Sequence, residues 1–180
     1  MDKSLIQTQM AILVQIVRYI HIKQVLTELD PNPELNFWRL IHGAFLDAPV
    51  LDWCKIFGSD AEPTHWKGVV DDKDSFRADL LRVLNITQSE WTSYWNHLHD
   101  YRNEFVSHSV EEAAVTKYPS LDLALQSCHF YYDYLLNRLQ DGDVDEVERL
   151  GAYSKRFSEH TAQIAQAALD ATKEFREWEE

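Results

Sequence analysis

Between Ser4 and Leu29 the apolar residues Ile6, Met10, Leu13, Val17 and Ile20 recur at steps of three and four, and Ile12, Ile16 and Val25 widen the stripe. Such spacing specifies a helix, and a stripe this wide buries more than one face. The chain must therefore wrap further helices around this one, or offer part of it to a second subunit. Gln15, Arg18, Tyr19 and His21 interrupt the apolar run from Met10 to Ile22. That makes it too polar to span a bilayer, and no small-residue cleavage site follows it. The expectation is a central bundle helix without a membrane role. Asp30-Pro31-Asn32-Pro33 ends it, because proline supplies no N–H and disfavours helix in the residue before it.

The rest of the chain reads the same way. Glu34 to Leu46 predicts a second helix with Phe37, Leu40, Ile41, Ala44 and Phe45 inward, Pro49 forcing a kink or restart before Val50 to Phe57. Gly58 suits a helix end, and Ser59 to Asp72 reads as a loop. Asp74 to Leu84 is a short helix on Phe76, Leu80, Leu81 and Leu84. Thr87-Gln88-Ser89-Glu90 is a capping box, and it opens a helix with Trp91, Tyr94, Trp95, Leu98, Tyr101 and Phe105 at steps of three and four. Periodicity fades from Ser109 to Pro119. Ser120 then caps a helix running to about Gln140, and a last helical region spans Val144 to Trp178 with Val147, Leu150, Phe157, Thr161, Ile164, Ala168, Ala171 and Phe175 inward. No stretch alternates long enough for a strand, so the expected fold is all-α, one antiparallel bundle of about five to six helices spanning residues 1–180.

Composition sets limits on function. With 180 residues, the chain is most simply one domain. Its net charge of −13 argues against a broad basic face for nucleic acid, though not against an enzyme that touches one or two phosphates. Cys54 and Cys128 are the only cysteines, and their wide separation reads as two reduced thiols in a cytoplasmic protein. Six tryptophans are many for this length, and most belong in a core or interface.

Several clusters could carry chemistry. Cys54, Lys55 and His65 lie near tryptophans, but nothing in the sequence joins the thiol to the imidazole, and cysteine packs well as a small apolar group. Glu62 and His65 have the spacing of a di-iron ligand pair, yet Pro63 lies between them and no second pair exists. Asp141, Asp143 and Asp145 begin like a calcium loop, but Glu146 and Ala152 stand where glycine and glutamate are needed. His97 and His99, two apart on a helix, point away from each other.

The stretch Tyr101-Arg102-Asn103-Glu104-Phe105-Val106-Ser107-His108 is different. It puts an arginine, an asparagine and a histidine at the end of an aromatic helix, groups able to act on a phosphodiester without metal. A purely structural role is also open: Arg102 pairing with Asp100 or another acid, Asn103 facing water, and His108 interacting with the helix C-terminus. On an ideal helix, six steps place Arg102 and His108 about 120° apart and about 9 Å apart along the axis. One site therefore requires the helix to end or distort, or a second subunit to contribute.

Arg102-Asn103 followed by His108, in an all-α domain, resembles the Arg-x(4–6)-His signature of the HEPN superfamily (higher eukaryotes and prokaryotes nucleotide-binding domains). The block Trp53-Cys54-Lys55-Ile56-Phe57-Gly58 with His65-Trp66-Lys67 is similar to HEPN-like proteins associated with phage abortive infection. The resemblance spans most of the chain. It implies a metal-independent endoribonuclease needing no cofactor, active as a homodimer on RNA, in a toxin-like or antiphage role with a cognate antitoxin or inhibitor. By the same resemblance Arg102 stabilises phosphoryl charge, Asn103 orients the phosphate, and His108 moves a proton. A non-catalytic module binding a nucleotide or protein partner, and a metal or redox bundle, are the competing readings.

Overall fold

The structure is a computed structural model that describes residues 2–103, 118–139 and 148–177. Among these the chain is all helical: α1 (Lys3–Leu29), α2 (Asn36–Phe57), α3 (Lys73–Leu84), α4 (Gln88–Tyr101), α5 (Asp122–Leu139) and α6 (Leu150–Thr172), with a short 3-10 turn at Trp66–Gly68. The last of these corrects the reading of 59–72 as loop throughout. The aspartates at 141, 143 and 145 lie outside the described residues.

α1 is the axle. Ile6, Leu13, Ile16, Val17 and Ile20 are wholly buried, and α2, α5 and α6 pack around them. By length and composition alone α1 could cross a membrane; here one side of it is core, with Met10, Ile12 and Val14 partly buried against it. Asp2 caps it, its carboxylate accepting from the amides of Ser4 and Leu5 at 3.0 and 3.2 Å.

α2 departs from the sequence reading twice. It is one continuous helix with Pro49 inside it. Proline has no N–H for the Phe45 carbonyl, a defect worth about 3 kcal/mol in an open helix. Leu46, Pro49, Val50 and Trp53 are all buried along one face, and that packing holds the two halves together. The inward face is also rotated by about one residue. Trp38 and His42 are buried, whereas Phe37 and Leu40 are 60% and 75% exposed. In α6, likewise, Ser154 and Ala165 face inward and Ile164 faces solvent, and Phe175, expected on the same buried stripe, lies past the helix end and is exposed.

Gly58 ends α2 by donating its N–H to the Cys54 carbonyl at 2.9 Å. A Cβ there would lie 2.3 Å from that same oxygen, so no other residue fits without moving the helix end. The capping box at α4 forms as read: Glu90 N–H reaches Thr87 Oγ1 at 3.2 Å and the Glu90 carboxylate accepts from the Thr87 amide at 2.7 Å.

The core contains polar groups, each with a purpose. Trp53 is fully buried and donates its indole N–H to Ser127 Oγ at 3.0 Å. Gln9, also fully buried, donates from Nε2 to the carbonyls of Thr64 and His65 at 3.1 and 3.0 Å and accepts from the Tyr131 hydroxyl at 2.7 Å. One amide thereby ties α1, α5 and the segment before the 3-10 turn.

Gln9→Leu keeps the size and removes all three bonds, stranding buried partners at a cost of about 1–3 kcal/mol each. Urea denaturation is expected to show a loss of at least that size. A second expectation concerns acid. Burial holds the imidazoles of His21, His42, His65 and His129 below the ordinary value of 6.5. The folded state thus favours their neutral form, so this contribution is complete above pH 6.5 and is lost as pH falls through the depressed folded values. Thermal melts from pH 7.5 down to pH 5.5, above the range where carboxylates titrate, are expected to show a falling Tm.

Candidate functional site

The end of α4 is fixed before the motif begins. Leu98 is fully buried and Tyr101 nearly so, and the Tyr101 hydroxyl donates to Asp47 Oδ1 on α2 at 2.6 Å. Burial first, then this carboxylate, pushes the phenol well above its usual range. Directly after Tyr101 the backbone widens into a π-type turn at Arg102 and Asn103. The regular α-helix thus gives way just ahead of the arginine. His108 lies outside the described residues.

Arg102 meets an acid other than Asp100. Its Nη2 lies 3.7 Å from Glu62 Oε1, both side chains being about one-third exposed, 28% and 30%. At that distance the contact is Coulombic rather than a hydrogen bond. Asn103 engages His99, Nδ2 to Nδ1 at 3.0 Å, which sets aside the alternative in which it only faces water. His99 in turn stacks on Trp95, centroids 4.8 Å apart and planes within 13°. Trp91, Trp95, His99 and Asn103 follow one another at four-residue steps, neighbours along one side of α4.

This row leads into a cleft of about 250 Å³ that periodicity did not reveal. Phe57, Gly58, Trp66, Phe76, Trp91 and Trp95 line it, together with the charged Asp60, Lys67 and Arg77. Trp66 stacks on Phe76 at 4.6 Å, and Trp91 packs on the buried Trp53 at 5.8 Å. Trp95 donates its indole N–H to the Phe57 carbonyl at 2.7 Å. The signals of this feature in the sequence were the number of tryptophans and the block from Trp53 to Gly58 with His65-Trp66-Lys67, which supplies Phe57, Gly58, His65, Trp66 and Lys67 to its lining.

The lining is also charged. Lys67 Nζ reaches both Asp60 oxygens at 2.6 and 2.7 Å, and this hydrogen bond, the largest cause, holds the Asp60 carboxyl below its ordinary value. His65 Nδ1 accepts from the Lys67 amide at 3.3 Å while Nε2 faces Asp60 at 3.5 Å. A neutral imidazole protonated at Nε2 fits both contacts. Arg77 meets Asp74 only at 3.8 Å, and that aspartate is 99% exposed.

Among the described residues, no group of three or more His, Cys, Asp or Glu is placed to hold a metal ion. Cys54 is buried, and burial pushes its thiol up to about 11 despite the opposing charge of Arg102. Cys128 is raised likewise by full burial. Both thiols are therefore poor nucleophiles. Ellman's reagent at pH 8 is expected to leave both untouched in the native chain and to titrate two thiols in denaturant.

No protein-family model, curated protein or solved structure matches this chain.

Proposed function

We propose that the chain is a metal-independent endoribonuclease of HEPN type that acts as a homodimer in a toxin-like or antiphage role in the cytoplasm. One observation carries this reading: the half-buried Arg102 guanidinium stands where α4 leaves α-helical geometry, close to Glu62 but not hydrogen-bonded to it. Glu62 takes none of its donors in a hydrogen bond, and guanidinium matches phosphate with paired, permanently charged donors.

In the proposed reaction the ribose 2′-oxygen attacks the adjacent phosphorus and the bond to the 5′-oxygen breaks, leaving a 2′,3′-cyclic phosphate. Arg102 donates to the non-bridging oxygens as charge builds. Asn103, steadied by His99, orients the phosphate. His108 takes the 2′-proton or gives one to the leaving oxygen. In the homodimer, arginine and histidine from different copies meet at one site. A second reading, a non-catalytic module for a nucleotide or protein partner, draws on the net charge of −13, which repels long RNA.

The test is incubation of the purified protein with RNA in EDTA. Cleavage is expected to yield cyclic-phosphate ends and to fall by about 100-fold or more in Arg102→Ala and in His108→Ala. A mixture of the two variants recovers part of the activity if the site is shared between copies. Cleavage unchanged in both variants overturns the assignment, and no cleavage by the wild type leaves the binding-module reading.

A further inference from the structure

We infer that the aromatic cleft between the 3-10 turn, α3 and α4 is a nucleotide subsite, taking one unstacked base against Trp91 and Trp95 and that nucleotide's phosphate at Arg77. The inference rests on the proposed action on RNA for the class of ligand, and on the cleft's own chemistry for the rest.

Size comes first. At about 250 Å³ the cleft falls just below the range of roughly 300–1,000 Å³ typical of pockets for drug-sized ligands. It suits one flat ring system rather than a folded oligonucleotide. Of its indoles Trp66 is buried, while Trp91 and Trp95 are partly exposed, and every base has a π-face to stack on an indole. The two partly exposed indoles are held in place, Trp91 by Trp53 and Trp95 by His99 and the Phe57 carbonyl. A ligand would not have to order these rings, which lowers the cost of binding.

Charge comes second. In a chain of net charge −13, the cleft carries two cations in its lining. Lys67 is committed to Asp60. Arg77 Cζ lies over the Trp66 ring, 5.9 Å from its centroid, and its contact with the solvated Asp74 is weak. A phosphate attached to a base in the cleft would find Arg77. The third point is direction: the row Trp91, Trp95, His99, Asn103 runs from the cleft to the motif. Arg102 lies seven positions beyond Trp95, roughly 10 Å of helix axis, a span that a short single strand bridges. A base held in the cleft would set which phosphodiester reaches Arg102.

Calorimetric titration of the full chain with adenosine 5′-monophosphate tests this, because a mononucleotide has no bond for the enzyme to cut. Expected are saturable binding of the monophosphate, weaker binding of adenosine, and weaker still of inorganic phosphate. Trp95→Leu should weaken the monophosphate about tenfold. Arg77→Gln, a change in the cleft lining that leaves the core untouched, should erase the preference for the monophosphate over adenosine. No binding by the wild type, or equal binding by both folded variants, overturns the inference. So does N-acetyltyrosine amide binding as tightly as the monophosphate, which would mark a protein partner's side chain as the occupant. Binding as expected in a chain that fails to cleave RNA supports the subsite and refutes the ribonuclease. Cleavage by a chain that binds no monophosphate does the reverse.

Discussion

The arrangement depends on one buried amide. Gln9 sits inside the apolar stripe of α1, where a leucine would fill the space at no polar cost. It is held there by bonds to two backbone carbonyls at Thr64 and His65 and to the Tyr131 hydroxyl. Segments between helices lack an internal ladder, so their carbonyls need partners wherever they are buried. Gln9 supplies them, and so fixes a connection that would otherwise lie on the surface. That connection delivers Glu62 to Arg102 on one side and His65, Trp66 and Lys67 to the cleft on the other. Both halves of the candidate site thus take their position from a residue on neither.

Local signals survived into the structure and long-range ones did not. The Thr87–Glu90 box and the wide stripe of α1 were legible because the relevant contacts lie within a few residues. α2 was misread in register because apolar side chains surround it: Phe37, Leu40, Ile41 and Phe45 make as good a stripe as Trp38, His42, Phe45 and Leu46. Only packing against α1 and α6 chooses between them. Pro49 misled for a related reason, since its cost is local and the burial that offsets it is not.

The site shows the same division. Arg102 and Asn103 could be picked out from their residue types and place on α4. Their partners divide by distance in sequence. The Asn103–His99 contact is one helical turn long, available to anyone who counts four residues back. Glu62 and Trp66 are far away in sequence and arrive only because Gln9 fixes the segment that carries them. Trp53, Trp66, Trp91 and Trp95 signalled a concentration of aromatic surface, but not that a hollow would remain beside it.

Gly58 joins these themes at a single atom. Its missing side chain leaves room for the Cys54 carbonyl, and the neighbouring Phe57 carbonyl receives the Trp95 indole. The end of a helix, part of the cleft lining and the anchor of Trp95 therefore share two adjacent peptide units. Any larger residue at this position would disturb all three together. A survey of tolerated substitutions would find position 58 as intolerant as the hydrophobic interior, although what it protects is empty space above a backbone oxygen.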